Sequence, residues 1–139
     1  MTGLKYRLVF ILLSLASLQI KASYRSEIYF AYIHNRMDLW KNVIVQMDAI
    51  PDKSNELLLE LVNYQYGYIG YCIGFDKKEE AKKHLVLAQR NVEILEKRKN
   101  NLAVINSYKA AFYGFRIGLS PVSAPVNGFK SIDCAKMAL

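Results

Sequence analysis

Cysteine is nearly absent from this 139-residue chain, which holds only Cys72 and Cys134. Two thiols are too few for a disulfide framework. Both sit in apolar helical patterns, where they read as buried small hydrophobes. Histidine is equally scarce. His34 and Asp38 stand four apart, but a turn at Asn35 separates them and no further ligand joins them, so no metal centre is expected. His84 lies among Lys82, Lys83 and Glu80 and reads as a surface residue. No Ser–His–acid set is present. The glycines Gly67, Gly70 and Gly74 fall within and at the end of a helix, not between a strand and a helix, which excludes a phosphate-cradling loop. The expectation is a non-catalytic protein with no cofactor and no metal.

Long apolar runs are also wanting. The longest, in residues 8–20, is nearer thirteen residues than the roughly twenty a membrane span needs. Lys5 and Arg7 precede it, and Ala22 follows as a plausible last residue before cleavage. Residues 1–22 therefore read as an export signal to a periplasm or the outside, with a retained N-terminal anchor as the competing reading. Acidic residues number 12 against 19 basic ones. The signal carries three of the bases (Lys5, Arg7 and Lys21) and no acid, so the remainder has 16 bases against 12 acids. That modest excess favours solubility and gives no reason to expect nucleic acid. Lys77, Lys78, Lys82, Lys83, Lys97, Arg98 and Lys99 are interleaved with Glu79, Glu80, Glu93 and Glu96 and read as a solvated face.

What the chain does have is a phrase written three times: residues 29–35, 68–74 and 112–118. Each copy has an aromatic, a tiny residue two places on (Ala31, Gly70, Gly114), a second aromatic, and then Asn35, Gly74 or Gly118. Helical spacing surrounds it, with Leu58, Leu61, Val62, Gln65, Ile69 and Cys72 at intervals of three and four. The final Asn or Gly reads as a left-handed helix stop, and the tiny residue as the point where a second helix approaches closely. A partner helix is expected after each stop. The first runs over 38–50. The second runs over 77–97, capped by Asp76 with Glu79 as its capping-box partner, and with Glu79–Lys83 and Glu93–Lys97 as pairs one turn apart. The third begins near Ser131, because Pro121, Pro125 and Gly128 make 119–129 a loop. The fold class is all-α, in hairpins of about 24–50, 54–99 and 101–139, joined by Pro51-Asp52-Lys53-Ser54 and by 98–101.

This pattern resembles the tetratricopeptide repeat family. Tyr66, Ile69, Gly70 and Ile73 match its first-helix spacing, and Ala81, Leu85 and Ala88 its second. Ala110, Tyr113, Gly114 and Ile117, then Ala135 and Leu139, match less completely. Trp40 and Met47 stand where small residues are usual. The intervals of 39 and 44 residues exceed the family's 34 or so. The resemblance implies a scaffold for protein–protein interaction, whose groove would carry the residue after each tiny one. That places Tyr32, Tyr71 and Phe115 in a ladder, with Tyr64 and Tyr108 near it and Arg116 beside it. Such rings suit a protein or peptide partner, or a glycan; packing between helices is the plainer use of the same rings. The last helix ends on an apolar stripe at Leu139. Self-association through that helix, or a longer natural product of which this is the N-terminal part, would each cover it.

Overall fold

The computed structural model describes residues 24–139; the expected signal, 1–22, lies outside the described residues. Every regular element among the described residues is helical. None of their helices is long and apolar enough to cross a membrane. The described residues fall into two compact units, one ending at Val43 and one spanning Ile44–Leu139.

In the first unit, helical residues 24–33 (α1) lead through a turn into α2 (Met37–Asp48), which continues into the second unit. Ile28 and Ala31 form the buried side of α1. The helix closes as foreseen at Asn35: its φ is 52°, and Arg36 N–H reaches back to Ala31 O at 2.8 Å. That backbone bond satisfies a terminal carbonyl that the helix itself leaves open. Arg36 then donates to both oxygens of Asp38, at 2.8 and 2.6 Å. The guanidinium holds the Asp38 carboxyl down to about 2.

The second unit comprises the rest of α2, α3 (Asn55–Gly74), α4 (Lys78–Lys97), α5 (Leu102–Leu119), a 3-10 turn at Pro121–Ser123, and α6 (Ala124–Met137). Ser54 caps α3, its hydroxyl accepting from Leu57 N–H at 3.2 Å. Lys53 Nζ closes the end of α2 by donating to Asp48 O and Ile50 O. The apolar stripe of α3 is buried as its spacing requires: Leu58, Leu61, Val62, Ile69 and Cys72. On α4 the buried set is Ala81, Leu85, Ala88, Val92 and Leu95. Each large aliphatic so buried contributes roughly 1.5–3 kcal/mol.

Cross-links fix the packing as antiparallel pairs. Between α3 and α4, Tyr68 bonds to Glu80, Gln65 to Asn91, and Asn55 to Arg98, so numbers fall on one helix as they rise on the other. Between α5 and α6, Ser131 donates to Ala110 O and Asn106 to Met137 O. Helix α5 also packs against α3 and α4. Cys72 and Cys134 are both buried thiols.

Several local expectations are overturned. Gly74 is the last residue of α3 rather than its left-handed stop; Asp76 takes that conformation at φ 56°, and Lys77 N–H closes back on Cys72 O at 2.8 Å. The equivalents of Asn35 and Ala31 are thus Asp76 and Cys72, two residues beyond Gly74 and Gly70. Gly118 lies inside α5, and no described glycine has a positive φ. Asp76 is spent in the turn and cannot cap α4, whose cap position is Lys77; Glu79 pairs with Lys82 at 2.7 Å instead of Lys83.

The supposed loop 119–129 is largely helical. Pro125 falls in the first turn of α6, where its missing N–H costs nothing and its fixed φ suits a helix. Ser131 is consequently mid-helix, not a cap. The close helix approach expected at Gly114 is absent, since a methyl there would meet nothing within 4 Å; one at Gly70 would meet the Phe115 ring of α5, at 3.9 Å.

Candidate functional site

Tyr108, Phe112 and Phe115 follow one another at i, i+4 and i+7, so one face of α5 carries three rings. Phe112 points into the core and is 1% exposed. Its neighbours lie higher on that face, where α3 runs alongside. Tyr66 of α3 stacks on Phe115, with centroids 5.2 Å apart and planes at 24°. It meets Tyr108 edge-on at 6.1 Å. A methyl added at Gly70, one turn after Tyr66, would lie 3.9 Å from the tip of the Phe115 ring. The Tyr108 hydroxyl donates to Asn63 Oδ1 at 3.0 Å, fixing the strip's far end. Burial first, and then Tyr66, push the Tyr108 hydroxyl above its ordinary value, which keeps it a neutral donor. Tyr66 itself is 41% exposed. The result is an aromatic strip, partly open to solvent, spanning two helices.

Arg116 sits beside this strip but faces the other way. Its guanidinium donates to Gln89 Oε1 of α4 at 2.7 Å and lies 5.8 Å from the Tyr113 ring. Lys130 Nζ approaches the same ring at 5.8 Å. Gln89, Tyr113 and Arg116 border a cleft between α4 and α5, lined also by Val92, Glu93, Glu96 and Lys109. Lys109 is held by Glu96 at 2.7 Å, which raises its ammonium's ionisation. The cleft encloses about 90 Å³, far short of the roughly 300–1,000 Å³ typical of small-molecule sites. Two of its charged side chains, Lys109 and Glu96, are already spent on each other.

The expected ladder is therefore only half assembled. Phe115 and Tyr108 belong to one strip, together with Tyr66, which the family position had not indicated. Tyr64 is buried at 7% exposure and donates to Glu60 at 2.5 Å, because it falls on the core side of α3 between Leu61 and Tyr68; it is not a groove residue. Tyr71 lies in the last turn of α3 and packs against the turn that leads into α4. Its hydroxyl accepts from Lys77 Nζ at 3.0 Å, the ammonium lies 4.7 Å from its ring, and Phe75 packs on it at 4.7 Å. Tyr32 lies in the first unit, exposed, with its edge toward Trp40 at 6.4 Å.

His84 is a correction of another kind: it is 3% exposed. Placed on the inward face of α4, one turn after Glu80, it meets the Tyr68 ring edge-on at 4.9 Å. Tyr68 donates to Glu80 Oε1 at 2.8 Å, and His84 Nε2 lies 4.0 Å from that oxygen. Burial, and then the Glu80 bond, push the Tyr68 hydroxyl above its ordinary range. A raised value favours the protonated fold, so this contribution is complete below the unfolded value of about 10 and is lost as pH rises beyond it. Stability of the chain is expected to fall more steeply between pH 10 and pH 11.5 than that of Tyr68→Phe, by up to about 1.4 kcal/mol per pH unit. Parallel profiles in urea titrations would contradict this placement.

No protein-family model, curated protein or solved structure matches the chain.

Proposed function

We propose that the chain is a non-catalytic scaffold, exported to the cell envelope or beyond, that docks a protein or peptide partner on the Tyr66–Tyr108–Phe115 strip. The observation that carries the reading is the open stack of Tyr66 on Phe115 across α3 and α5. A core would enclose such rings. Here they form a rigid, partly wet surface of the kind that anchors binding at low entropy cost. The helix pairs α3–α4 and α5–α6, with α3 against α5, suit a tetratricopeptide-like stack in which α3 and α5 are the inner helices and line a groove. Membrane contact in this reading is confined to the N-terminal segment if it is retained, and nucleic acid is not a partner.

The test is capture from an extract of the producing cell, using the chain as that cell makes it. Tyr66→Ala and Phe115→Ala are each expected to weaken retention of the partner by about 10- to 30-fold, the scale of an aromatic anchor. Helicity by circular dichroism should hold, and Tyr71→Ala should change retention little. Retention of a glycan with no protein, or protein retention unchanged in both variants, would overturn the reading.

A further inference from the structure

The exposed side of α1 is continuous and carries no acid. A helix turns by about 100° per residue, so Arg25, Ser26, Tyr29, Phe30, Tyr32 and Ile33 fill one arc of about 160°, and no other residue of 24–33 falls inside it. The four large apolar members stand in solvent: Tyr29 is 65% exposed, Phe30 48%, Tyr32 69% and Ile33 52%. Ile28 and Ala31, outside the arc, are buried. Glu27, the one acid of residues 24–33, lies about 160° from Tyr29 and off the arc. Scattered exposed hydrophobes need no explanation, but four on one short arc mark a contact surface.

Two features point to lipid as the occupant. One is chemistry. Three of the four apolar side chains are aromatic, and the two tyrosines join an apolar ring to a polar tip, which suits the boundary between acyl chains and water. Arg25 adds the charge that anionic headgroups attract, with no carboxylate on the arc to oppose it. The other feature is position. The uncharged apolar run 8–20 ends four residues before Tyr24, with Lys21 between them. Four residues span at most about 14 Å. Wherever that run meets a bilayer, α1 is within reach of its surface.

We propose that the exposed arc of α1 rests on a lipid surface, its rings at headgroup depth and its axis in the membrane plane, which adds a lipid contact to the scaffold. Ten helical residues are about 15 Å long, too short to cross a bilayer, so residues 24–33 lie on the surface rather than through it.

An environment-sensitive fluorophore tests this on the chain as its cell produces it. The probe is attached at Ile33→Cys or, as a second site on the arc, at Tyr29→Cys. Val86→Cys, exposed on α4, is the control, and the native Cys72 and Cys134 are buried away from the reagent. Vesicles of phosphatidylcholine and phosphatidylglycerol should shift the emission at positions 33 and 29 to the blue. A spin label on the lipid headgroup should quench both and leave position 86 unchanged. Tyr29→Asp with Phe30→Asp should return the probe at position 33 to water, with helicity by circular dichroism unchanged. The proposal is overturned by a probe at position 33 that stays in water when vesicles are added, by equal quenching at position 86, or by a signal indifferent to the paired Asp substitutions. Shielding at position 33 without lipid would also overturn it. If that shielding grows with chain concentration, the occupant is a second copy; if it needs a lipid-free cell extract, the occupant is another protein.

Discussion

Phe112→Ala is expected to remove about 3–5 kcal/mol of stability, the usual toll of deleting a buried ring. Phe112 is the largest fully buried side chain of the second unit. It packs between Tyr108 and Phe115 at 6.0 and 6.2 Å and forms part of the wall where α5 faces α4. Nothing of comparable size can swing into the space, since the flanking rings are tied to Asn63 and Tyr66. Set against a typical total of about 5–15 kcal/mol, the loss brings a small domain close to its threshold. Tm should fall by about 10–20 °C. Urea unfolding followed at 222 nm checks it. A loss under about 1 kcal/mol would mean that α5 is not seated on this ring. Phe115→Ala, three residues on and half-buried, should fall well short of the Phe112 value.

The second large effect concerns the buried amide pair between α3 and α4. Gln65 is wholly enclosed, and its Oε1 accepts from Asn91 Nδ2 at 3.1 Å. Its Nε2 has no hydrogen-bond partner among the described residues. Asn91→Leu removes this bond and leaves the Gln65 amide in an apolar seam, which costs about 1–3 kcal/mol. Gln65→Leu together with Asn91→Leu removes the whole polar requirement and lengthens the apolar stripe from Leu61 to Ile69. The double variant is expected to recover most of that loss and to approach or exceed the parent. A double-mutant cycle by chemical denaturation measures the coupling. Additive losses would show that the pair is not a unit.

Much of the fold was legible because spacing and burial agree. Ala81, Leu85 and Ala88 foretold the inward face of α4, and Leu58 to Cys72 that of α3. The failures share a cause: residue types that act in opposite senses at different helix positions. Pro125 breaks a helix from within but starts one from its first turn, and only the structure tells which end it occupies. Gly74 and Gly118 could have closed helices, yet Asp76 closes α3, and the α5 end needs no left-handed residue. The thrice-written phrase is thus out of step with the turns, which fall at Asn35 and Asp76.

The strip was half readable. The residue after each tiny one points to Phe115 and to Tyr71, whereas the ring that stacks on Phe115 is Tyr66, five residues before Tyr71 on α3. The available signal was Tyr66 and Gly70 four apart, a ring and a bare backbone on the same face. The Tyr68–Glu80–His84 trio, with Tyr68 and His84 buried, has no comparable signal. Its members look like surface residues until α3 and α4 face each other.

Whether partners meet the chain at the aromatic strip is tested by site-specific photo-crosslinking. A photoreactive phenylalanine analogue at position 66, on the strip, is compared with one at position 86, where Val86 lies exposed on α4. Both are irradiated in the producing cell. The account predicts a discrete protein adduct from position 66, lost when Phe115→Ala is added, and none from position 86. Adducts of equal yield from both positions, or from position 86 alone, would contradict it.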